Sequence, residues 1–183
     1  MATWFTSDTH FGQERTFKYS MRSMYFESVK EADAVMVANW NRVVDHGDTV
    51  YHLGDFGDYD RAQDLNGNIH LLFGNYERDG IGGAITDKQR ESFSSIMDGK
   101  FVFLARSLLL LTHEPSHMQG LYLPENGYFG LFGHIHEKQK VKRNALNVGV
   151  DVHNFTPVSM ETVEFYRKAI NEVYDDECFD TFL

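Results

Sequence analysis

Five apolar runs in this chain each end in a side chain able to bind a cation. Trp4-Phe5-Thr6-Ser7 leads into Asp8-Thr9-His10, and Val50-Tyr51-His52-Leu53-Gly54 into Asp55. Ile69-His70-Leu71-Leu72-Phe73-Gly74 leads into Asn75, and Leu108-Leu109-Leu110-Leu111-Thr112 into His113. Tyr128-Phe129-Gly130-Leu131-Phe132-Gly133 leads into His134-Ile135-His136. Open α/β sheets build their sites outside the carboxyl ends of the strands. If the five runs are strands of packed sheets, two Asp, one Asn and four His converge at one edge. That is too many oxygen and nitrogen donors for one ion, and suits two ions that share a bridging carboxylate.

The residue types fit that use. Asp8 and His10, two apart on a loop, can face one ion. Gly54 before Asp55 lacks a Cβ and permits a tight bend at a strand end. The Asp55 carboxylate has two oxygens and can bridge. Asn75, after Gly74, offers a neutral carbonyl oxygen, and His113, His134 and His136 offer imidazole. Imidazole, carboxylate and amide without thiolate suit manganese, iron, cobalt, nickel or zinc better than calcium or magnesium alone. Each element is weak by itself: Gly-Asp is a common turn, Gly-Asn a common left-handed turn, and a lone histidine after a leucine run is usually a strand-end residue. The weight lies in all five standing at strand ends in one chain.

This ordered set resembles the calcineurin-like metallophosphoesterase superfamily. The pattern there is Asp-x-His, Gly-Asp, Gly-Asn-His, His, Gly-His-x-His. Here it reads Asp8-Thr9-His10, Gly54-Asp55, Gly74-Asn75-Tyr76, His113 and Gly133-His134-Ile135-His136. The resemblance spans residues 3 to about 160. The opening Trp-Phe-Thr-Ser-Asp-Thr-His-Phe-Gly, and Asn147-Val148-Gly149-Val150-Asp151 followed by Pro157-Val158-Ser159, look like the small stand-alone bacterial and phage members. The resemblance implies an α/β fold of two packed mixed sheets sandwiched between helices, a four-layer sandwich. It places Asp8, His10, Asp55 and His136 on one metal and Asp55, Asn75, His113 and His134 on the other, with manganese as the first expectation. It also implies that a bridging water, made hydroxide by the two cations, attacks phosphorus in line. Asp55, Asn75, Tyr76 and His113 are then the catalytic positions. Tyr76 is the departure, because the pattern has a histidine that protonates the leaving oxygen or stabilises phosphate charge. A phenol lacks the positive charge an imidazole can carry near neutral pH, but it can donate a hydrogen bond.

The elements that must position these residues are also legible. Ser28-x-x-Glu31 has the form of a capping box, and Val29, Ala32, Met36 and Trp40 then recur on one face of a helix to about Val43. His46-Gly47-Asp48 reads as the turn into the second strand. Thr86-x-x-Gln89 predicts a helix running towards Met97. Ser159 caps a third, with Val163, Tyr166, Ile170 and Val173 on one face. From Phe101 to Val150 strands dominate, which predicts a second sheet packed on the first. The stretch from Glu114 to Gly127 is long enough for a rim or lid.

With 183 residues, 42% hydrophobic and 24% charged, the chain reads as one domain over 1–183 with an acidic, aromatic tail from about 175. One cysteine, Cys178, forms no internal disulfide, and a reducing cytoplasm is the expected location. No apolar stretch approaches the ~20 residues of a membrane span. A net charge of −10 argues against grip on duplex nucleic acid. Two divalent ions would reverse that sign inside a pocket, and Lys138, Lys140, Lys142 and Arg143 directly follow His136. The expected partner is a small, nucleotide-like phosphate compound; nothing points to an oligomeric state. The leading expectation is a phosphodiesterase or nucleotide phosphohydrolase. The alternatives are a phosphomonoesterase or protein phosphatase, and an inert metal-binding scaffold. Among lesser candidates, His52 and His70 read as packing residues and His46 and His117 as loop residues; His153, just past the last strand, is a minor candidate for the pocket lining, Asn41 at the helix end is a cap or a donor behind the site, and Arg15 and Arg78 are surface residues by default that could reach a substrate phosphate.

Overall fold

The computed structural model describes residues 1–81, 83–104, 107–118 and 127–179. The expected rim at 114–127 falls largely outside them; within them, Pro115–Met118 forms a single 3-10 turn.

The elements in chain order are β1 (Thr3–Thr6), α1 (Glu14–Tyr19), α2 (Arg22–Tyr25), α3 (Val29–Val43), β2 (Thr49–His52), β3 (Asn68–Leu72), α4 (Asn75–Asp79) and α5 (Asp87–Arg90). There follow β4 (Ser95–Met97), β5 (Lys100–Leu104), β6 (Ser107–Leu111), β7 (Tyr128–Phe132), β8 (Val141–Lys142), β9 (Ala145–Asn147), β10 (Val158–Ser159) and α6 (Met160–Glu172). They form two five-stranded mixed sheets, ordered β10-β1-β2-β3-β4 and β5-β6-β7-β9-β8. In the first, β1 to β4 are parallel and β10 is antiparallel. In the second, β6, β7 and β9 are parallel, with β5 and β8 antiparallel at the edges. This is the expected α/β arrangement of paired mixed sheets with helices.

The strands alternate sides, as a period of two requires. In the first sheet Phe5, Tyr51 and Leu72 face the second sheet and meet Leu109, Leu111, Phe129, Leu131 and Leu146. Val50, Ile69 and Leu71 face outward onto Met36 and Trp40 of α3. In the second sheet Phe132 and Ala145 face the other way, towards Met118. Helix α6 closes the inter-sheet core with Val163 and Ile170, while Val173 at its end is 76% exposed rather than on the packed face.

Helix starts follow the caps. The Ser28 hydroxyl accepts from the Glu31 N–H, and that of Ser159 from the Thr162 N–H. Glu31 does not complete the box on Ser28, because its carboxylate takes the Glu27 N–H instead. The Thr86 box forms in full, yet α5 ends after one turn, well short of Met97. Tertiary contacts overrule the cap signal: Phe93 is buried edge-on to Phe56, and the Ser94 N–H donates to the Ile69 carbonyl, which starts β4 beside β3. The tail folds back. Phe179 is buried in the inter-sheet core, and Arg143 both pairs with Asp176 and lies over the Phe179 ring. Asn41 ties the end of α3 to the next loop, accepting from the Asn66 N–H and donating to the Asp64 carbonyl.

Trp40 is 1% exposed and donates its indole N–H to the Asn66 carbonyl. Trp40→Ala is expected to cost roughly 3–5 kcal/mol in urea unfolding, from cavity and lost contact together.

Candidate metal centre

The carboxyl ends of β1, β2, β3, β6 and β7 meet along the line where the two sheets face each other. Backbone bonds lash the emerging loops together. The N–H groups of Asp8 and His10 donate to the carbonyls of Gly54 and Asp55, and that of Gly133 to His113. Ser7 and Gly149 form a parallel bridge from the first sheet to the second. All seven ligand candidates of the sequence lie on these loops.

They group in two sets. The donor atoms of Asp8, His10 and His136 lie within 4.8 Å of one another, and so do those of Asp55, His113 and His134. Asn75 joins the second: its Oδ1 is 3.0 Å from His113 Nε2 and 2.9 Å from His134 Nδ1. Asp55 stands between the sets. Its Oδ1 accepts the Tyr76 N–H at 2.9 Å. Its Oδ2 lies 3.4 Å from His10 Nε2 and 3.4 Å from His113 Nε2.

The ring nitrogens facing away from these sets are committed. His10 Nδ1 donates to Gln13 Oε1 at 2.7 Å, His113 Nδ1 to the Leu53 carbonyl at 2.8 Å, and His136 Nδ1 to Asp151 at 2.7 Å. Such bonds fix the tautomer and turn the other nitrogen to a ligand position. His10 Nε2 is fully buried and has no hydrogen-bond partner.

The electrostatics ask for positive charge. Burial disfavours the charged form of His113, but Asp55 and Asp8 outweigh it and raise the pKa to about 9. Burial dominates at His10 and lowers it to about 4 despite the pull of Asp55 and Asp8. At His134, burial and then the His113 charge lower the pKa. Burial opposes the charge on Asp55, yet the His113 hydrogen bond and the charges of His113 and His10 hold its pKa below the usual carboxylate range. Two buried carboxylates beside imidazoles with a nitrogen to spare suit divalent cations of the borderline class.

The backbone is bent to make this set. Asp8, His10, Asp55, His134 and His136 have φ of 58°, 47°, 57°, 73° and 51°. The left-handed region costs a residue with a Cβ roughly 1–2 kcal/mol, so five such residues in one pocket point to function rather than to turn economy. The glycines are needed for close approach as well as for bending. A Cβ on Gly133 would strike Ser7 Oγ and the Asp8 carboxylate, and one on Gly74 would strike Asp55.

Several supports carry no local sequence signal. Glu77 accepts the N–H groups of Asp55 (2.8 Å), Phe56 (2.9 Å) and Gly74 (2.8 Å), locking two loops with one carboxylate. His52 is no plain packing residue. The Thr9 hydroxyl donates to the Phe56 carbonyl, so it accepts from His52 Nε2, and His52 Nδ1 then accepts from the Gly54 N–H. Burial, its largest influence, holds His52 at about 3, hence neutral. Asn147 donates to the His136 and Gln139 carbonyls. Of the lesser candidates, Arg78 pairs with Asp98 and Glu114, and His153 bonds the Asn147 carbonyl. Arg15 and Tyr76 line two recesses of about 340 and 550 Å³ beside the pocket. The Tyr76 ring stands edge-on to His10, 4.5 Å between centroids.

Several known proteins are similar to this chain. A family model for the calcineurin-like phosphoesterase superfamily domain matches residues 1–154. An uncharacterized protein of Methanocaldococcus jannaschii is 31% identical over 172 residues, 86% of either chain. The gene 66 protein of Mycobacterium phage L5 is 39% identical over 70 residues, 38% of this chain and 30% of its own. A crystal structure of an Aquifex aeolicus protein of unknown function superposes with a TM-score of 0.70 at 24% identity, covering 90% of this chain and 98% of that one.

Two outcomes are expected. Manganese at about 100 times its dissociation constant should stabilise the fold by about 2.7 kcal/mol, read as a melting temperature that a chelator lowers again. Gly133→Ala should cost about 1–3 kcal/mol from overpacking and abolish that metal-dependent shift, since Ser7 and Asp8 must move to admit the methyl group.

Proposed function

The chain belongs to the calcineurin-like phosphoesterase superfamily, and from that membership we propose that it hydrolyses a phosphodiester or nucleotide-type phosphoester with two divalent cations, manganese first among them. The observation that carries the reading is the division of labour within Asp55: one oxygen is anchored by a backbone N–H, and the other is equidistant from imidazoles of both sets. In this reading Asp8, His10, Asp55 and His136 hold one cation, and Asp55, Asn75, His113 and His134 the other. When bound, the two cations supply Lewis acidity, activating water near neutral pH and drawing charge from the phosphate oxygens.

The chain's own residues do the rest. The rings of His10, His113 and His136 are oriented by their Nδ1 bonds before any ligand arrives, so little side-chain rearrangement remains to be done at the moment of reaction. Glu77 and His52 hold the loops of Asp8, Asp55 and Asn75 in one register. The Asn75 amide has its oxygen between two imidazoles, while its nitrogen remains a donor for a substrate oxygen. Tyr76 lines both recesses and carries the hydroxyl that donates to a leaving or non-bridging oxygen. Two recesses that share Tyr76 favour a substrate with groups on both sides of the scissile phosphorus. A dianionic monoester gains most from a cationic imidazole at this position and loses it here. Arg15 and Lys138 add positive charge to the rim of the smaller recess, which suits a small anionic substrate.

A screen of aryl phosphodiesters, aryl phosphomonoesters, nucleotides and dinucleoside polyphosphates with manganese tests the assignment, and no turnover of any of them would leave the scaffold reading. Asp55→Asn should abolish turnover and lower bound metal per chain, and near-normal activity in it would refute the shared bridge. Tyr76→His should raise the monoester-to-diester rate ratio by roughly tenfold or more, as the gain of a positioned acid allows. An unchanged ratio would mean that residue 76 does not set substrate class.

A further inference from the structure

Arg22 and Asp151, 129 residues apart, form a buried pair behind the first ligand set. Their side chains are 3% and 4% exposed. The guanidinium grips Asp151 with two prongs, Nε to Oδ1 at 2.7 Å and Nη2 to Oδ2 at 3.0 Å. Its remaining reach goes to backbone. Nη1 donates to the Thr9 carbonyl at 2.7 Å and Nη2 to the Asp8 carbonyl. Asp151 Oδ2 also accepts from His136 Nδ1. One unbroken set of hydrogen bonds therefore joins the loop after β1, which carries Asp8 and His10, to the loop after β7, which carries His136.

Asp151 also lies within ligand range of His136 and Glu137. Its geometry assigns it another task. Both oxygens already accept from Arg22, and one from His136, so its charge is balanced and three of its acceptor sites are taken. Arginine suits the position because its planar fork matches a carboxylate and leaves further N–H groups for carbonyls. A pair that served only to pin α2 would not need a histidine of the ligand set as its third member.

We propose that Asp151 and Arg22 are positioning residues for the first cation: Asp151 holds His136 with its proton on Nδ1 and Nε2 free to bind, and Arg22 fixes Asp151 to the peptide groups that carry Asp8. The inference rests on the two-cation reading above. It predicts that the two cations respond differently to this pair, because the second set has its own supports in Leu53 and Glu77.

Zinc titration by calorimetry, with bound metal counted per chain, tests it. Wild type should bind two equivalents. Asp151→Asn should weaken one of them roughly 10- to 100-fold and leave the other in place. His136→Ala should weaken the same equivalent, and the double variant should lose no more than His136→Ala alone, since Asp151 acts through that ring. Unchanged affinity in Asp151→Asn, or losses that add in the double variant, would overturn the inference. Should Asp151→Asn fail to fold, wild type alone decides by nitrogen-15 NMR of its histidines with zinc added. A proton on His136 Nδ1 supports the assignment, and one on Nε2 refutes it. Wild type that binds no zinc would instead remove the two-cation reading itself.

Discussion

Two carboxylates, Asp8 and Asp55, sit at 0% and 3% exposure where two sheets meet, and a buried carboxylate is costly unless it is paired and hydrogen-bonded. The pocket follows from how that cost is met. Both Asp8 oxygens take the His134 N–H, and Asp55 Oδ1 takes the N–H of Tyr76. What is left, one Asp55 oxygen flanked by two imidazoles, calls for positive charge. A proton on His113 meets part of that demand, and a cation meets it better. Placing N–H groups where those oxygens need them forces the loops to turn sharply and to run against each other. The left-handed residues and the glycines that tolerate no Cβ are the backbone side of one electrostatic requirement.

That requirement explains why Gly precedes Asp55, Asn75 and His134. In each case the glycine lies where a neighbouring loop touches the chain: Gly54 against Gly74, Gly74 against Asp55, Gly133 against Ser7 and Asp8. A bend at Gly54, as its place at a strand end suggests, is one part of the reason. Its φ of 97° does need a glycine, and the contact with Gly74 excludes a side chain independently.

Features that repeat on a short period or terminate a run are legible in the sequence by itself. Strand ends locate the seven candidate residues, and the Ser28 and Ser159 caps locate α3 and α6. Features that depend on contacts between distant segments are not. Thr86-x-x-Gln89 has all the local marks of a helix start, but Phe93 has a place beside Phe56 and Tyr59 that a continuing helix would forfeit. Glu77 resembles any acidic residue in a first helical turn until its three backbone donors are seen. His52 looks like strand filler until Thr9 is brought beside it. Arg22, in a segment with no periodic signal, shows its role once Asp151, 129 residues on, and the Thr9 and Asp8 carbonyls are brought beside it.

That distance bears on how the protein is made. A ribosome delivers Asp8, His10 and Arg22 more than a hundred residues before Asp151, so the early segment emerges without the groups that balance it. Asp55 and Asn75 can meet as soon as β2 and β3 pair, but His134 and His136 arrive only when most of the chain has been synthesised. In a nascent chain these donors are therefore still scattered along the sequence. On the two-cation proposal, metal choice belongs to the completed fold and is exercised after synthesis, against whatever cations the surroundings then offer.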